Sequence, residues 1–283
     1  MIRLGLIGYP LSHSLSPRLH AAAFAAVGLD GEYHLYPVAP DDNAGLAQLT
    51  TRIRKGELQG LNVTIPHKQT VIPLLDDLTP FAQAIGAVNT LFLKDNKLIG
   101  HNTDAPGFLS DLHKAAPKGF SEKKALVLGA GGAARAVVYA LLRDDWGVTL
   151  AVRRADVEQA AALMASMKRD AGDRFHHPVL LEAGELSPLV DGIRLIVNAT
   201  PIGMFPVVGN SPWPDGLLFP RCAVVYDLVY NPRETMFIQQ ARAAGLHTAS
   251  GIGMLVEQAS LSFETWTGRV PPRDGMFAAV EEK

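Results

Sequence analysis

The stretch KKALVLGAGGAARAVVYALL, residues 123–142, decides the fold class. Residues 125–128 form a continuous apolar run, which is typical of a buried strand in a parallel sheet. Glycines follow in the pattern G-x-G-x-x-A from Gly129, and the apolar residues after them recur at helical spacing. A strand, a glycine turn and a helix in this order predict a Rossmann-type doubly wound sheet, in which the helix N-terminus binds a pyrophosphate. Glycines also form ordinary turns, so the motif alone leaves a purely structural role open.

The strand after this helix ends in two arginines. Residues 148–152 are apolar, and Arg153 and Arg154 follow them, about 20 residues beyond the glycine turn. An acid at this position binds the ribose 2′-hydroxyl of NAD, whereas paired guanidinium groups suit the 2′-phosphate of NADP. The sequence therefore favours NADP as cofactor. Two alternatives stay open: both arginines are solvated loop residues, or the nearby Asp156 supports NAD.

Strand and helix patterns alternate on both sides of this stretch, which indicates an α/β protein. We predict an N-terminal α/β substrate domain at residues 1–105, a Rossmann-type NADP-binding domain at residues 106–253, and C-terminal helices at residues 254–283 that return to the first domain. In the first domain we predict strands at 3–8, 32–38 and 61–65 and a hairpin at 88–102. We predict helices at 17–27, at 43–55 and from Pro66 towards residue 75, the last with a pattern that Pro73 disturbs.

The predicted hairpin gathers polar side chains at one edge of its sheet. The segments VNTLFL and KLIGHN flank a turn at the pair DN. Pairing Leu93 with Leu98 places Asn89 near Thr103 and Asp104, just past the end of the ladder. A register shifted by one residue would separate these groups.

The segment NVTIPHK, residues 62–68, places a lysine where a strand ends. If a helix begins at Pro66, Lys68 lies in its first turn, where the helix dipole disfavours a cation by roughly 0.3–1 kcal/mol. Such a lysine is a candidate for proton transfer, and a coupled Lys68–Asp104 pair is a better candidate than either residue alone. The alternative is an exposed lysine that extends from a helix into solvent, and this stretch alone favours it.

Composition excludes several classes of protein. The 283 residues are 48% hydrophobic and carry a net charge of −2 without a basic block, so neither nucleic acid nor a membrane is expected as a partner. Cys222 is the only cysteine, and the histidines lack metal-ligand spacing, so we expect no metal site. With no signal-peptide pattern or apolar span, we expect a soluble cytoplasmic protein, either a monomer or a homodimer.

A set of motifs along nearly the whole chain resembles the shikimate dehydrogenase family. The matching segments are SLSP (14–17), NVTIPHK (62–68), GAVNTL (86–91), GHNTDAPG (100–107), GAGGAAR (129–135), NATPIGM (198–204), YDLVYNP (226–232) and GIGMLVEQA (251–259). The resemblance implies a reversible NADP-dependent reduction of 3-dehydroshikimate to shikimate, a small-molecule substrate, in the chorismate pathway of aromatic amino acid biosynthesis. It also implies that Lys68 and Asp104 are the catalytic pair.

The resemblance assigns further residues to substrate and cofactor. Substrate-binding residues would be Ser14 and Ser16 for the carboxylate, with Thr64, Asn89, Asp104, Tyr230 and Gln258 for the ring hydroxyls. Cofactor contacts would be Gly129, Ala130, Gly131, Gly132, Ala133, Arg153, Arg154, Thr200, Met204, Leu228 and Gly251. Two readings from the residues themselves stay open: Ser16 is a helix N-cap before Pro17, and the Gln258 amide binds a backbone carbonyl.

Departures from the family pattern define the competing interpretations. The usual N-R-T after the second cofactor strand is here Val152-Arg153-Arg154, and His67 precedes the lysine without an assigned role. The nearest rivals are a quinate/shikimate dehydrogenase and a paralogue for an amino analogue; Ser16, in place of a threonine, favours shikimate. A non-catalytic NADPH-binding regulatory protein is the remote alternative, and it predicts loss of a catalytic pair that this sequence retains.

Overall fold

The computed structural model describes residues 1–116, 120 and 122–281. The chain divides into two compact units, one formed by Met1–Gly107 with Leu255–Lys283 and the other by Phe108–Met254. The last two residues of the predicted C-terminal segment, 282 and 283, lie outside the described residues. Each unit is built around a six-stranded sheet of its own.

Helices surround both sheets. Along the described chain they are α1 (Ser16–Val27), α2 (Asn43–Arg54), α3 (His67–Thr70), α4 (Pro80–Ile85), α5 (Asp104–Ala115), α6 (Gly132–Arg143), α7 (Val157–Ala171), α8 (Ala183–Leu186), α9 (Met236–Ala243), α10 (Ile252–Thr267) and α11 (Arg273–Glu281). Short 3-10 turns add to these, among them Ile72–Leu74 directly after α3.

The sheet of the first unit combines parallel and antiparallel strands. Its members are β1 (Ile2–Gly8), β2 (Gly31–Pro37), β3 (Gly60–Val63), β4 (Asp77–Leu78), β5 (Thr90–Lys94) and β6 (Lys97–His101). Their order is β2-β1-β3-β5-β6-β4, with β1 parallel to β2 and β3, and β5 antiparallel to β3 and β6. The carboxyl ends of β1 and β3 therefore meet at the edge where β5 begins.

The hairpin of β5 and β6 has the predicted register, with Leu93 opposite Leu98. Asp95 and Asn96 form its two-residue turn with φ of 51° and 60°, a conformation that Asp and Asn tolerate better than most residues. The backbone N–H of Asn89 then continues the ladder beyond β5. The prediction of this hairpin and its pairing is confirmed.

Two predictions about helix starts are wrong. The helix expected from Pro66 towards residue 75 is only the four residues of α3, because Pro73 lacks the N–H and the space that a longer α-helix needs. Pro66 itself precedes α3 rather than opening it. Ser16 is the first residue of α1 and not its N-cap, a position that Leu15 occupies.

The sheet of the second unit is wholly parallel. Its strands are β7 (Lys124–Leu128), β8 (Gly147–Val152), β9 (Val179–Leu180), β10 (Leu195–Asn198), β11 (Val224–Asp227) and β12 (His247–Ser250). They lie in the order β12-β11-β10-β7-β8-β9. This is the strand order of a Rossmann domain, with its switch point between β7 and β10, where ligands bind in such sheets. The predicted α/β fold class with a doubly wound domain is confirmed.

Aromatic residues of α10 close the core of the first unit. Trp266 Nε1 donates to the Leu91 carbonyl at 2.9 Å, and the Phe263 ring lies 5.0 Å from that of Phe24. His20 is fully buried beside them, with its ring stacked 4.1 Å from that of Tyr33. Burial lowers the pKa of His20 to about 3, so the imidazole is neutral and acts as a core ring.

Within the described ranges, no helix has the length and apolar character needed to cross a membrane. The same residues contain no cluster of three or more His, Cys, Asp or Glu side chains placed to hold a metal ion.

Candidate active site

Lys68 and Asp104 form a direct ion pair in the first unit. Lys68 Nζ donates to Asp104 Oδ2 at 2.5 Å, and the side chains are only 12% and 5% exposed. Opposite charges held together away from solvent attract more strongly than an exposed pair does. A short charge-assisted hydrogen bond of this kind is able to exchange a proton with a ligand hydroxyl.

The backbone around each partner explains the position of the pair. α3 is anchored on both sides, because Val88 N donates to the Lys68 carbonyl at 2.8 Å and His67 Nε2 contacts the Val38 carbonyl at 2.8 Å. Asp104 opens α5, where a carboxylate is favoured. Lys68 lies in the single turn of α3, so it is in the first turn of a helix as predicted. A helix of four residues has only a small dipole, and the charge that Lys68 contacts directly is that of Asp104.

Asn89 holds Asp104 from the other side. Asn89 Nδ2 donates to Asp104 Oδ1 at 2.9 Å, and Asn89 Oδ1 accepts from the backbone N–H of Thr103 at 2.8 Å. The two carboxylate oxygens of Asp104 therefore have different partners, an amide and an ammonium group. The predicted gathering of Asn89, Thr103 and Asp104 at this edge is confirmed.

Gln258 contacts the same cluster from α10. Its Oε1 accepts from Asn89 Nδ2 at 3.3 Å, and its Nε2 donates to the Leu255 carbonyl at 2.8 Å. The backbone-carbonyl partner that the sequence left open is therefore present. Gln258 also extends the polar cluster of Asn89 and Asp104 by one side chain.

Ser14, Ser16 and Thr64 lie at the same sheet edge. Ser14 Oγ accepts from the backbone N–H of Ser16 at 3.2 Å, which shapes the loop between β1 and α1. Thr64 follows β3, and its backbone N–H donates to the Ile7 carbonyl of β1 at 2.8 Å. Ser14 and Ser16 thus lie between β1 and the start of α1, and Thr64 directly follows the neighbouring strand β3. Tyr230 belongs to the second unit.

The glycine turn of the second unit fits a pyrophosphate. Gly129 has φ of +106°, and a Cβ on it would lie 2.9 Å from Thr200 Cγ2, so only glycine suits this position. A Cβ built on Gly131, the N-cap of α6, meets no described atom within 4 Å. The turn of Gly129, Ala130, Gly131, Gly132 and Ala133 therefore leaves open space at a helix N-terminus, where N–H groups attract phosphate.

Both arginines after β8 are exposed and face acids. Arg153 Nε donates to Asp156 Oδ2 at 2.7 Å, and Arg154 Nη2 donates to Glu182 Oε1 at 3.3 Å. The guanidinium side chains are 70% and 77% exposed, which leaves them accessible to a phosphate. Asp156, on which the NAD alternative rests, is already bound by Arg153.

Two buried polar residues, Asn198 and Asp227, organise the loops after β10 and β11. Asn198 Oδ1 accepts from Thr200 Oγ1 at 2.7 Å, and its Nδ2 donates to Asp227 Oδ1 at 2.8 Å. Asp227 also accepts from Val229 N at 3.0 Å and from Thr235 Oγ1 at 2.6 Å. Burial raises the pKa of Asp227 to about 6. Neither residue is among those predicted from the sequence, although a polar residue at the end of an apolar strand is a signal that could have indicated them.

The remaining predicted cofactor residues lie in the segments after β10, β11 and β12. The Leu228 backbone is held against Gly251, where a Cβ would lie 2.1 Å from the Leu228 carbonyl oxygen. Met204 is half-buried in the loop after β10. The next residue, Phe205, donates from its backbone N–H to the Asn231 carbonyl at 3.0 Å, which joins this loop to the segment containing Leu228.

Family comparisons agree with the motifs. Residues 6–91 match the shikimate dehydrogenase substrate binding domain, and residues 251–281 match the shikimate 5'-dehydrogenase C-terminal domain. The first match includes the Lys68 segment and Asn89, and the second includes Gly251 and Gln258.

Relatives and solved structures that match nearly the whole chain include shikimate dehydrogenases and a quinate dehydrogenase. A protein of Salinibacter ruber named shikimate dehydrogenase (NADP(+)) is 41% identical over 278 residues, covering 97% of this chain and 95% of its own. The structure of shikimate 5-dehydrogenase from Thermus thermophilus, in complex with NADP(H) and shikimate, is 36% identical with a TM-score of 0.85 and 99% of each chain covered. Quinate dehydrogenase from Corynebacterium glutamicum, in complex with NAD, is 31% identical with a TM-score of 0.86, covering 100% of this chain and 99% of its own. This chain belongs to the shikimate dehydrogenase family.

Proposed function

We propose that the protein is an NADP-dependent shikimate dehydrogenase that reversibly reduces 3-dehydroshikimate to shikimate. The observation that carries the proposal is the 2.5 Å Lys68–Asp104 pair, set in a family whose members include shikimate dehydrogenases (NADP(+)). Asn89 and Gln258 join the pair by hydrogen bonds, and Ser14 and Thr64 lie at the same sheet edge. Short polar side chains of this kind suit an acid with several ring hydroxyls.

Substrate contacts in this proposal use the polar residues in two roles. Ser14 and Ser16 donate hydroxyl hydrogen bonds to the carboxylate of shikimate. The ring hydroxyls are held by Thr64, Asn89, Asp104, Tyr230 and Gln258.

Lys68 and Asp104 transfer the proton of the reacting hydroxyl. The chemistry that NADP supplies when bound is hydride transfer, and oxidation of a carbinol also releases a proton. The hydroxyl proton passes to the Lys68–Asp104 pair, and in the reductive direction the same pair returns it to the carbonyl oxygen. Asn89 keeps one oxygen of Asp104 occupied, so the other remains directed at Lys68.

The second unit holds the residues that fit the cofactor. Backbone N–H groups of the turn from Gly129 to Ala133 would hold the pyrophosphate, and Arg153 and Arg154 would hold the 2′-phosphate. The loops carrying Thr200, Met204, Leu228 and Gly251 would contact the nicotinamide side. The two exposed arginines after β8 support NADP over NAD, because guanidinium groups bind a 2′-phosphate and cannot accept from a ribose hydroxyl.

The test is the rate of NADPH formation from shikimate and NADP⁺, for the wild type and for Lys68→Ala. Loss of the proton-transfer group should lower kcat by about 10²- to 10⁴-fold, with the dissociation constant for shikimate little changed. Lys55→Ala, which removes an exposed lysine after α2, is the matched control and should behave as the wild type.

Parallel assays with quinate and with NAD⁺ distinguish the rival functions. Faster turnover of quinate, or with NAD⁺, would contradict the proposal and assign the chain to the activity of its quinate dehydrogenase neighbour. NADPH binding without turnover of either acid would favour a regulatory protein.

A cytoplasmic location and the choice between monomer and homodimer remain predictions from the sequence.

A further inference from the structure

Ser262, a fully buried residue of α10, lies behind the side chains that hold Asp104. Its Oγ accepts from Asn62 Nδ2 at 2.9 Å and lies 2.8 Å from Thr90 Oγ1 and 3.1 Å from Thr103 Oγ1. It also lies 3.0 Å from the Gln258 carbonyl oxygen. One hydroxyl thus connects β3, β5, the segment before α5, and α10.

The backbone of Thr103 determines how the Asn89 amide is turned. A backbone N–H only donates, so the oxygen of Asn89 must face Thr103 N, and its nitrogen must face Asp104. Asn89 Nδ2 also donates to Thr103 Oγ1 at 2.9 Å. The hydroxyl hydrogen of Thr103 then goes to Ser262 at 3.1 Å rather than to Asn89 Oδ1 at 3.3 Å.

The hydrogen-bonding capacity of Ser262 is filled by this arrangement. A hydroxyl offers one hydrogen and two lone pairs, and the lone pairs accept from Asn62 and Thr103. Thr90 donates to Asn89 Oδ1 at 2.9 Å, so the Ser262 hydrogen is directed at Thr90 Oγ1 or at the Gln258 carbonyl. Ser262 Oγ thus lies within hydrogen-bond distance of both threonines that contact Asn89.

We propose that Ser262 is a positioning residue for the Lys68–Asp104 pair, an inference that rests on the proposed function. By holding Thr90 and Thr103 it fixes the Asn89 amide, and Asn89 in turn fixes the carboxylate of Asp104. Ser262 does not touch the pair, so its loss acts on the geometry of proton transfer and leaves the carboxylate contacts of the substrate intact. Small displacements of reacting groups lower turnover strongly.

The experiment compares Ser262→Ala with Ser260→Ala. Ser260 lies two residues earlier on α10 and is also fully buried, but its hydroxyl has no hydrogen-bond partner among the described atoms. Both variants therefore remove the same buried atoms from the same helix. We expect Ser262→Ala to lower kcat by about 10-fold, with KM for shikimate changed by less than about 3-fold, and Ser260→Ala to retain wild-type kcat.

A second variant tests the same proposal if Ser262→Ala does not fold. Thr103→Val removes the Thr103–Ser262 hydrogen bond from the other side, together with the bond that Thr103 Oγ1 accepts from Asn89. Circular dichroism melting reports whether each variant is folded. We expect a loss of kcat in Thr103→Val that is at least as large, because Thr103 also bonds to Asn89 directly. Adding Ser262→Ala should then cause less than the additive loss, because both residues act on Asn89.

Equal kcat in the two serine variants, a change confined to KM, or fully additive losses would overturn the positioning role. If Ser262→Ala does not fold, an unchanged kcat in Thr103→Val overturns it. Failure of the proposed function is a separate result, since then neither the wild type nor Ser260→Ala would oxidise shikimate.

Discussion

At the residue scale, the contacts of Lys68 could be predicted from the sequence only in part. The hairpin register predicted that Asn89 lies near Asp104, and the family resemblance implied the Lys68–Asp104 pair. The structure joins the three side chains by hydrogen bonds. The helix dipole has little effect on the charge of Lys68, because α3 ends after four residues. What holds the lysine is a carboxylate 36 positions away, which no local pattern shows.

A pair of glycine variants separates cofactor binding from stability. Gly131 has φ of −73°, which alanine adopts easily, and its Cβ would meet no described atom. Gly131→Ala should therefore leave the melting temperature unchanged while raising the dissociation constant for NADPH at least about 10-fold, because the methyl group fills the phosphate space. Fluorescence titration with NADPH measures the affinity.

Gly129→Ala is the matched comparison, since it changes the same turn at a strained position. Its φ of +106° and the 2.9 Å approach to Thr200 should lower the free energy of unfolding by about 1–3 kcal/mol.

Wild-type NADPH affinity in Gly131→Ala would show that the pyrophosphate binds elsewhere.

At the scale of the elements, β10 and β11 end in buried polar residues that determine the loops beyond them. Asn198 and Asp227 bond to each other and to Thr200, Val229 and Thr235. The carboxylate of Asp227 is fully buried, and its hydrogen-bond donors are neutral. None of the groups that shift its pKa is a cation. Its position therefore costs stability when it is ionised.

Asp227 predicts a pH dependence of the second unit. Its pKa rises from 3.8 to about 6 on folding, so the folded state binds the proton more tightly. This contribution to the free energy of unfolding is therefore fully present below about pH 4 and is lost as pH rises through about 6. The loss amounts to about 3 kcal/mol by pH 7.

Asp227→Asn removes this titration and provides the measurement. The free energy of unfolding of the variant, minus that of the wild type, should increase by about 3 kcal/mol between about pH 4 and pH 7. A constant offset is also expected, because an amide cannot accept from all three donors. Amide hydrogen exchange in β11 measures the free energy of unfolding of both proteins at each pH. A difference between the two that does not vary with pH would contradict the buried-carboxylate explanation.

At the scale of the whole molecule, the two units differ in how the chain builds them. The second unit is one continuous segment, Phe108–Met254, whereas the first needs both Met1–Gly107 and Leu255–Lys283. The C-terminal segment supplies Gln258 and Ser262 to the polar cluster and Trp266 to the core.

Separate expression of the units tests this difference. The fragment 108–254 should fold by itself and bind NADPH, because its sheet and glycine turn are complete. The fragment 1–107 should not fold alone, since without α10 it exposes the apolar face around Phe24 and Leu91 and leaves Asn62 without Ser262. Circular dichroism melting of both fragments and NADPH titration of 108–254 test these two expectations. Cooperative melting of the 1–107 fragment would contradict the prediction that it needs the C-terminal segment.

The sequence by itself determined the strand–turn–helix units, the Leu93–Leu98 register and the grouping of Asn89 with Asp104, because each depends on spacing along a short segment. Its helix boundaries were less accurate, as Pro66 and Ser16 show, because local propensities leave the first and last turns undecided.

Only the tertiary structure decided which buried polar groups satisfy one another. Asn198 bonds to Asp227 and Ser262 bonds to Thr103 across segments far apart in the chain. A buried polar group must find a partner wherever the packed sheets and helices bring one. That choice depends on the assembled core, and no local pattern contains it.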